Sequence, residues 1–146
     1  MATRWGICSA GKISHDFTVA LKSLPDSDHK IVAVGARNLE DAQKFAEKHS
    51  IPAAYGSYEE LSRDPSVAFV YLGSSTPRHL SLSLLFMTAK KNVLCEKPLA
   101  MNSREVEGDG GLPRANNVFL MEAVWTRFFP ASLEISGCWP RGPSGS

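Results

Sequence analysis

The sequence is poor in the features that mark several large classes of protein. Its three cysteines, Cys8, Cys95 and Cys138, are an odd number with no C-x-x-C spacing, which argues against a disulfide scaffold and against a zinc site. Cys8 and Cys95 stand in apolar runs, where cysteine serves as a small buried hydrophobe, so a reducing, cytoplasmic compartment is expected. His15, His29 and His49 are scattered without metal-ligand spacing, and no metal is expected. No run approaches the ~20 apolar residues that a bilayer requires, and the first ten residues lack the apolar core of a secretory leader. A formal charge of only +1 over 146 residues leaves no broad field for nucleic acid or an anionic membrane. A local phosphate site remains open, because one or two well-placed cations suffice for it.

What is present is alternation. Arg4 to Ser9 reads as a strand, followed by a stretch in which Ile13, Phe17, Leu21 and Leu24 recur at helical spacing. Ile31 to Ala36 is continuously apolar and valine-rich, as in a strand buried on both faces of a parallel sheet. Asn38 can cap a helix carrying Ala42, Phe45 and Ala46, and Ser57 to Glu60 has the form of a capping box. Val67 to Leu72, Val93 to Cys95 and Val118 to Met121 read as further strands, with a helix after Pro77 containing Leu80, Leu84 and Met87. The pattern predicts an α/β domain over residues 1–132: a doubly wound parallel sheet of the Rossmann type with helices on both sides. Two segments break it. Glu107 to Pro113 holds three glycines and a proline, so a helix opened at Asn102 and Ser103 should fray by Val106. Residues 133–146 are expected to form a disordered tail.

Two places carry chemistry. The first strand enters Ser9-Ala10-Gly11-Lys12-Ile13-Ser14 and then a helix, the position of a dinucleotide-binding turn. There a central glycine lets a pyrophosphate approach the backbone, and the helix N-terminus offers free N–H donors. A structural turn is the alternative for so degenerate a motif. The second strand ends in Ala36-Arg37-Asn38, where a domain preferring NAD places a carboxylate for the ribose 2′-hydroxyl. Arg37 could instead grip a 2′-phosphate, which favours NADP; a solvated arginine before a helix is the plainer possibility.

With that turn, three further stretches resemble the glucose–fructose oxidoreductase and inositol dehydrogenase family: Gly73-Ser-Ser-Thr-Pro-Arg-His79, Cys95-Glu-Lys-Pro98 and Met121-Glu-Ala-Val-Trp-Thr-Arg-Phe128. The likeness runs from about Arg4 to Ser132. It implies oxidation of a trans-dihydrodiol or of a pyranose sugar such as D-xylose, by hydride transfer to NADP+. It also implies a second α/β domain, absent from this sequence, that carries a catalytic tyrosine and the surface on which full-length relatives pair as homodimers. This chain is then expected to be a monomer that binds coenzyme at best.

By the same resemblance Lys97 is the catalytic residue beside the nicotinamide and the substrate hydroxyl, aimed by a cis peptide bond at Pro98. Ser9, Gly11, Lys12, Ile13, Arg37, Tyr71, Ser74, Thr76, His79, Glu96 and Lys97 are expected at the coenzyme. Trp125 and Arg127 are expected at a small-molecule substrate. Tyr71 could equally be a core tyrosine, and Trp125 a hydrophobic anchor. A rival from another class is a non-catalytic, truncated product that binds nucleotide or pairs with an intact enzyme.

Overall fold

The structure is a computed structural model that describes residues 1–102 and 112–138. Six strands, β1 (Thr3–Cys8), β2 (His29–Gly35), β3 (Ala53–Tyr55), β4 (Phe69–Leu72), β5 (Asn92–Glu96) and β6 (Leu120–Ala123), form one sheet in the order β3-β2-β1-β4-β5-β6. Every neighbouring pair is parallel. The connections carry α1 (Lys12–Leu21), α2 (Leu39–His49), α3 (Tyr58–Arg63), α4 (His79–Thr88) and α5 (Leu112–Asn116), and α6 (Pro130–Cys138) follows the last strand. The chain winds outward from β1 to β3, then returns past β1 to begin β4. The order therefore reverses between β1 and β4, which opens a crevice at their carboxyl ends. Cys8 lies level with Gly35 on one side and Leu72 on the other, so the loops that follow all three strands meet at one edge.

Alternation along the central strands builds two cores, one on each face of the sheet. On one face Ile7, Val34 and Tyr71 pack with Leu21 and Phe45. On the other Cys8, Ala33, Val70 and Leu72 pack with Leu61, Phe86 and Met87. Gly6 is small because α3 and its following loop press on β1: a Cβ there would lie 2.9 Å from Val67 Cγ1.

The helix after β1 turns a different stripe inward from the one its apolar residues suggest. Ser14, Thr18 and Leu21 are buried, while Ile13 and Phe17 are half-buried at the flank and Leu24 is exposed. Small polar residues let α1 sit close to the sheet at the reversal point. Ser14 Oγ and Thr18 Oγ1 are left without hydrogen-bond partners.

Three expectations change at the margins. The strand β3 was not foreseen, because Ala53–Tyr55 is too brief between Pro52 and Gly56 for any period to show; β2 supplies its register. Leu112–Asn116 forms a helical turn despite Pro113, since proline is tolerated in a first turn, where its missing N–H has no partner to lose. The helix expected from Ser103 lies outside the described residues, as do 139–146. The described part of the expected disordered tail is helical instead. Pro130 presets φ for a first turn, and Ser136 Oγ donates to Ser132 O at 2.8 Å within α6.

Candidate functional site

The turn after β1 places Ser9 at φ 87, a left-handed conformation in which a non-glycine residue is uncommon. Gly11 follows as the N-cap of α1 with an ordinary φ of −85. A Cβ on Gly11 would meet only Ser9 Oγ, at 3.8 Å, so nothing within the protein demands a glycine there. The N-terminus of α1 also differs from those of α2 and α3. Those helices are capped by Asn38 and Ser57 and carry two acidic residues each in the first turn. The helix α1 has no side-chain cap and no acidic residue there, so its N–H groups and positive dipole end stay open to an anion.

On one side of this turn lies a cleft of about 570 Å³, lined among others by Ser9, Gly11, Lys12, Arg37, Lys48 and Tyr58. Arg37 and Gly11 thus share one cavity. Asn38 Oδ1 accepts from the backbone N–H of Asp41 at 2.8 Å and fixes the start of α2 beside Arg37. Burial raises the pKa of the Tyr58 phenol, helped by the neighbouring Cys8 and opposed by Ser9, Arg78 and Arg37; the ring is neutral at physiological pH.

On the other side of the α1 N-terminus is a smaller cleft of about 370 Å³, lined by Ile13, Glu96, Lys97, Ala123, Val124, Trp125 and Thr126. Lys97 is exposed and follows β5 across a cis Lys97–Pro98 bond. Behind it, Glu96 is buried, and its Oε1 accepts from Tyr71 Oη at 2.6 Å and from Trp125 Nε1 at 3.0 Å. The indole of Trp125 is thereby tied to the core through one carboxylate oxygen. Burial first, then the bonded and negatively charged Glu96, hold the Tyr71 phenol far above its ordinary pKa. Burial likewise pushes the Cys95 thiol up to about 12, and Cys8 upward as well, so both thiols are inert.

The structure thus brings Ser9, Gly11, Lys12 and Arg37 together in one cleft, and Ile13, Glu96, Lys97 and Trp125 in the other. Five expected site residues line neither cleft. Tyr71 is fully buried and stacks on Phe17 with ring centroids 3.7 Å apart; it is the core tyrosine. His79 is 1% exposed, with Nδ1 2.7 Å from Pro98 O and Nε2 2.8 Å from Ser74 O. Both ring nitrogens lie within hydrogen-bond distance of backbone carbonyls, so His79 ties the loop after β4 to the loop after β5. Arg127 is exposed and lines neither cleft, while in the same 3-10 turn, Trp125–Phe128, Trp125 reaches Glu96 with its indole N–H. Ser74 and Thr76 border the same sheet edge without lining either cleft. Tyr58, Lys44 and Lys48 were missed by sequence reasoning. The helical spacing of Lys44 and Lys48 was visible, but nothing in it indicates that this flank of α2 meets α1 across a cavity.

A family model described as the oxidoreductase family with an NAD-binding Rossmann fold matches residues 3–121. The chain belongs to that family. It is similar to trans-1,2-dihydrobenzene-1,2-diol dehydrogenase of Danio rerio, 69% identical over 136 residues, which are 93% of this chain and 41% of that protein. The enzyme of the same name from Homo sapiens is 52% identical over 145 residues, 99% of this chain and 43% of that one, so the likeness extends past Ser132. An NAD binding oxidoreductase from Klebsiella pneumoniae shares the fold with a TM-score of 0.84 at 26% identity, over 92% of this chain and 37% of that one. The chain spans about 41% of the length of the first of these relatives.

Proposed function

We propose that this chain is the coenzyme-binding part of an NADP-dependent dehydrogenase that oxidises a trans-dihydrodiol, or a pyranose hydroxyl such as that of D-xylose. The observation that carries the proposal is the uncapped N-terminus of α1 standing between two clefts, one holding Arg37 and the other Lys97. A dinucleotide has the same division: an adenosine half, a pyrophosphate, and a nicotinamide half. The open space over Gly11 fits a pyrophosphate lying against backbone. Arg37, where a carboxylate would otherwise repel it, suits a 2′-phosphate.

When bound, the nicotinamide supplies the hydride acceptor. The protein's share is position and charge. The Lys97 ammonium can stabilise an alkoxide that develops on the substrate, or, as the neutral amine, take up the proton that the hydroxyl gives up. Trp125, held by Glu96, supplies a flat apolar wall on which a ring can lie. Lys97 and Trp125 are both exposed, so this chain alone excludes little water from the reacting atoms, and its own turnover is expected to be low.

Titration of the 146-residue chain with NADP+ and NAD+ tests the reading. NADP+ should bind more tightly. Arg37→Gln should weaken NADP+ by roughly 10- to 100-fold, the size of a charge-assisted hydrogen bond, and leave NAD+ nearly unchanged. Equal losses for both coenzymes would remove Arg37 from the 2′-phosphate. NADPH formation with a dihydrodiol or D-xylose, at a rate near that of an intact relative, would contradict the low turnover expected of this chain.

A further inference from the structure

The back of the Arg37 cleft holds a feature that coenzyme binding alone does not call for. His15, on α1, lines the cleft, and its Nδ1 lies 2.9 Å from Nε2 of His49 at the end of α2. His49 is buried, packs its ring against Phe45 with centroids 4.5 Å apart, and receives Lys22 Nζ at its carbonyl oxygen. Two imidazole nitrogens at this separation share one hydrogen between them, whichever tautomer each adopts.

The charges around the pair are one-sided. From α1 come Lys12 and Lys22, from α2 Lys44 and Lys48, and from the end of β2 Arg37. Lys44 is paired with Glu40 at 2.6 Å. The carboxylate lining the cleft is Asp41, already engaged by the Asn38 amide at 2.7 Å, and from α3 comes the neutral Tyr58. Burial, and then the charges of His15, Lys22 and Lys48, hold His49 below the usual histidine pKa. With no anion in the cleft, a further proton on the pair is opposed by Lys22 and Lys48 beside His49, with Lys12 and Arg37 lining the same cleft.

We propose that the His15–His49 pair couples occupation of this cleft by a phosphate dianion to the uptake of a proton from solvent. A dianion among Lys12, Arg37 and Lys48 reverses the local field. The pair then accepts a proton, and His15 becomes an additional donor facing the phosphate. The inference rests on the NADP reading and deepens it, because only the 2′-phosphate distinguishes NADP+ from NAD+. It makes coenzyme choice dependent on pH.

The test is calorimetric titration of the 146-residue chain with NADP+, 2′,5′-ADP and NAD+ at about pH 7.5, in buffers of different ionisation enthalpy. A 2′-phosphate with a second ionisation near about 6 is already mostly dianionic there, so its own titration contributes little. NADP+ and 2′,5′-ADP should bind with uptake of a measurable fraction of a proton, and NAD+ with none. His15→Gln should still bind NADP+, several-fold more weakly near pH 7 because the additional donor is gone, and should lose the uptake. Affinity for NADP+ should rise between about pH 8.5 and 7, by at most about tenfold per unit, and that slope should flatten in His15→Gln. The same proton count for wild type and His15→Gln would overturn the proposal while leaving the NADP reading intact. Failure of NADP+ and 2′,5′-ADP to bind at all would overturn both. Nitrogen NMR of the His49 ring in the unaltered chain needs no variant. Its signals should move toward those of a shared imidazolium when 2′,5′-ADP is added, and unmoved signals would equally sink the idea.

Discussion

A Cβ on Gly11 would make only an ordinary contact with Ser9 Oγ, at 3.8 Å, whereas a Cβ on Gly73 would strike Ser14 Oγ and come within 3.0 Å of Tyr71 Cε1 and 3.1 Å of Ile13 Cγ2. The two glycines flank the same crevice, and their substitutions should separate binding from folding. Gly11→Ala is expected to leave stability within about 0.5 kcal/mol, as for a surface change without strain, and to weaken nucleotide binding at least several-fold. Denaturant melts beside coenzyme titration would show it, and unchanged affinity would mean that no ligand approaches the backbone there. Gly73→Ala should cost about 1–3 kcal/mol through overpacking. Adding Ser14→Ala should recover part of that loss, because Ser14 Oγ has no partner to forfeit. A melt of the double variant no better than the single one would place the clash elsewhere.

At the scale of elements, the end of α3 is held by a compact polar cluster. Asp64 accepts from Ser66 N at 2.8 Å, Ser66 Oγ at 2.6 Å and Tyr55 Oη at 3.0 Å. Lys91 Nζ donates to Asp64 O at 2.6 Å and Val67 O at 2.8 Å. Burial alone would raise the Asp64 pKa, but the Ser66 bonds, Tyr55 and the Lys91 charge outweigh it and hold the carboxyl below its ordinary value. A depressed carboxyl stabilises the fold above its unfolded pKa of about 4, and that contribution disappears as pH falls through the lower folded value. Asp64→Ala should therefore cost about 1–3 kcal/mol at neutral pH, with the two stability curves converging below about pH 4. Parallel curves down to the acid transition would refute the linkage.

How far the site was legible in the sequence also divides along elements. Strands of continuous apolar residues such as Ile31 to Ala36 and the capping motifs at Asn38 and Ser57 announce themselves through local pattern, Gly11 and Arg37 follow from standing just past strand ends, and Lys97 is singled out only by the family resemblance around it. For Tyr71 and His79, position at a strand end does not say which way the side chain points. Tyr71 turns into the α1 face of the sheet, and His79 turns back to two carbonyls. Lys48 and the His15–His49 contact depend on α1 and α2 lying side by side, a relation between elements that no single stretch encodes.

For the whole molecule, the sheet order sets a gradient of protection. The strands β1 and β4 have a hydrogen-bonded neighbour on both sides and helices over both cores, whereas β3 and β6 close the sheet at its edges. Beside β6 an apolar groove of about 460 Å³ runs from Phe17 and Leu94 to Trp125, Phe128 and Phe129, and Phe128, Phe129, Leu133 and Ile135 are exposed. Amide hydrogen exchange should be slowest at Ile7 and Val70 and fastest, among the strands, at β3 and β6. Uniform exchange across the sheet would indicate a chain without fixed packing.

The arrangement around Glu96 has a consequence for its sequence neighbour. Its Oε1 is turned inward to a phenol and an indole, and the ion pair found among the described residues is Lys44 with Glu40. Lys97 therefore stands exposed, outside that ion pair, at the cleft it shares with Trp125. The adjacent acid is occupied as scaffolding rather than as a salt-bridge partner, so the ammonium can turn toward a negative oxygen that forms in front of it.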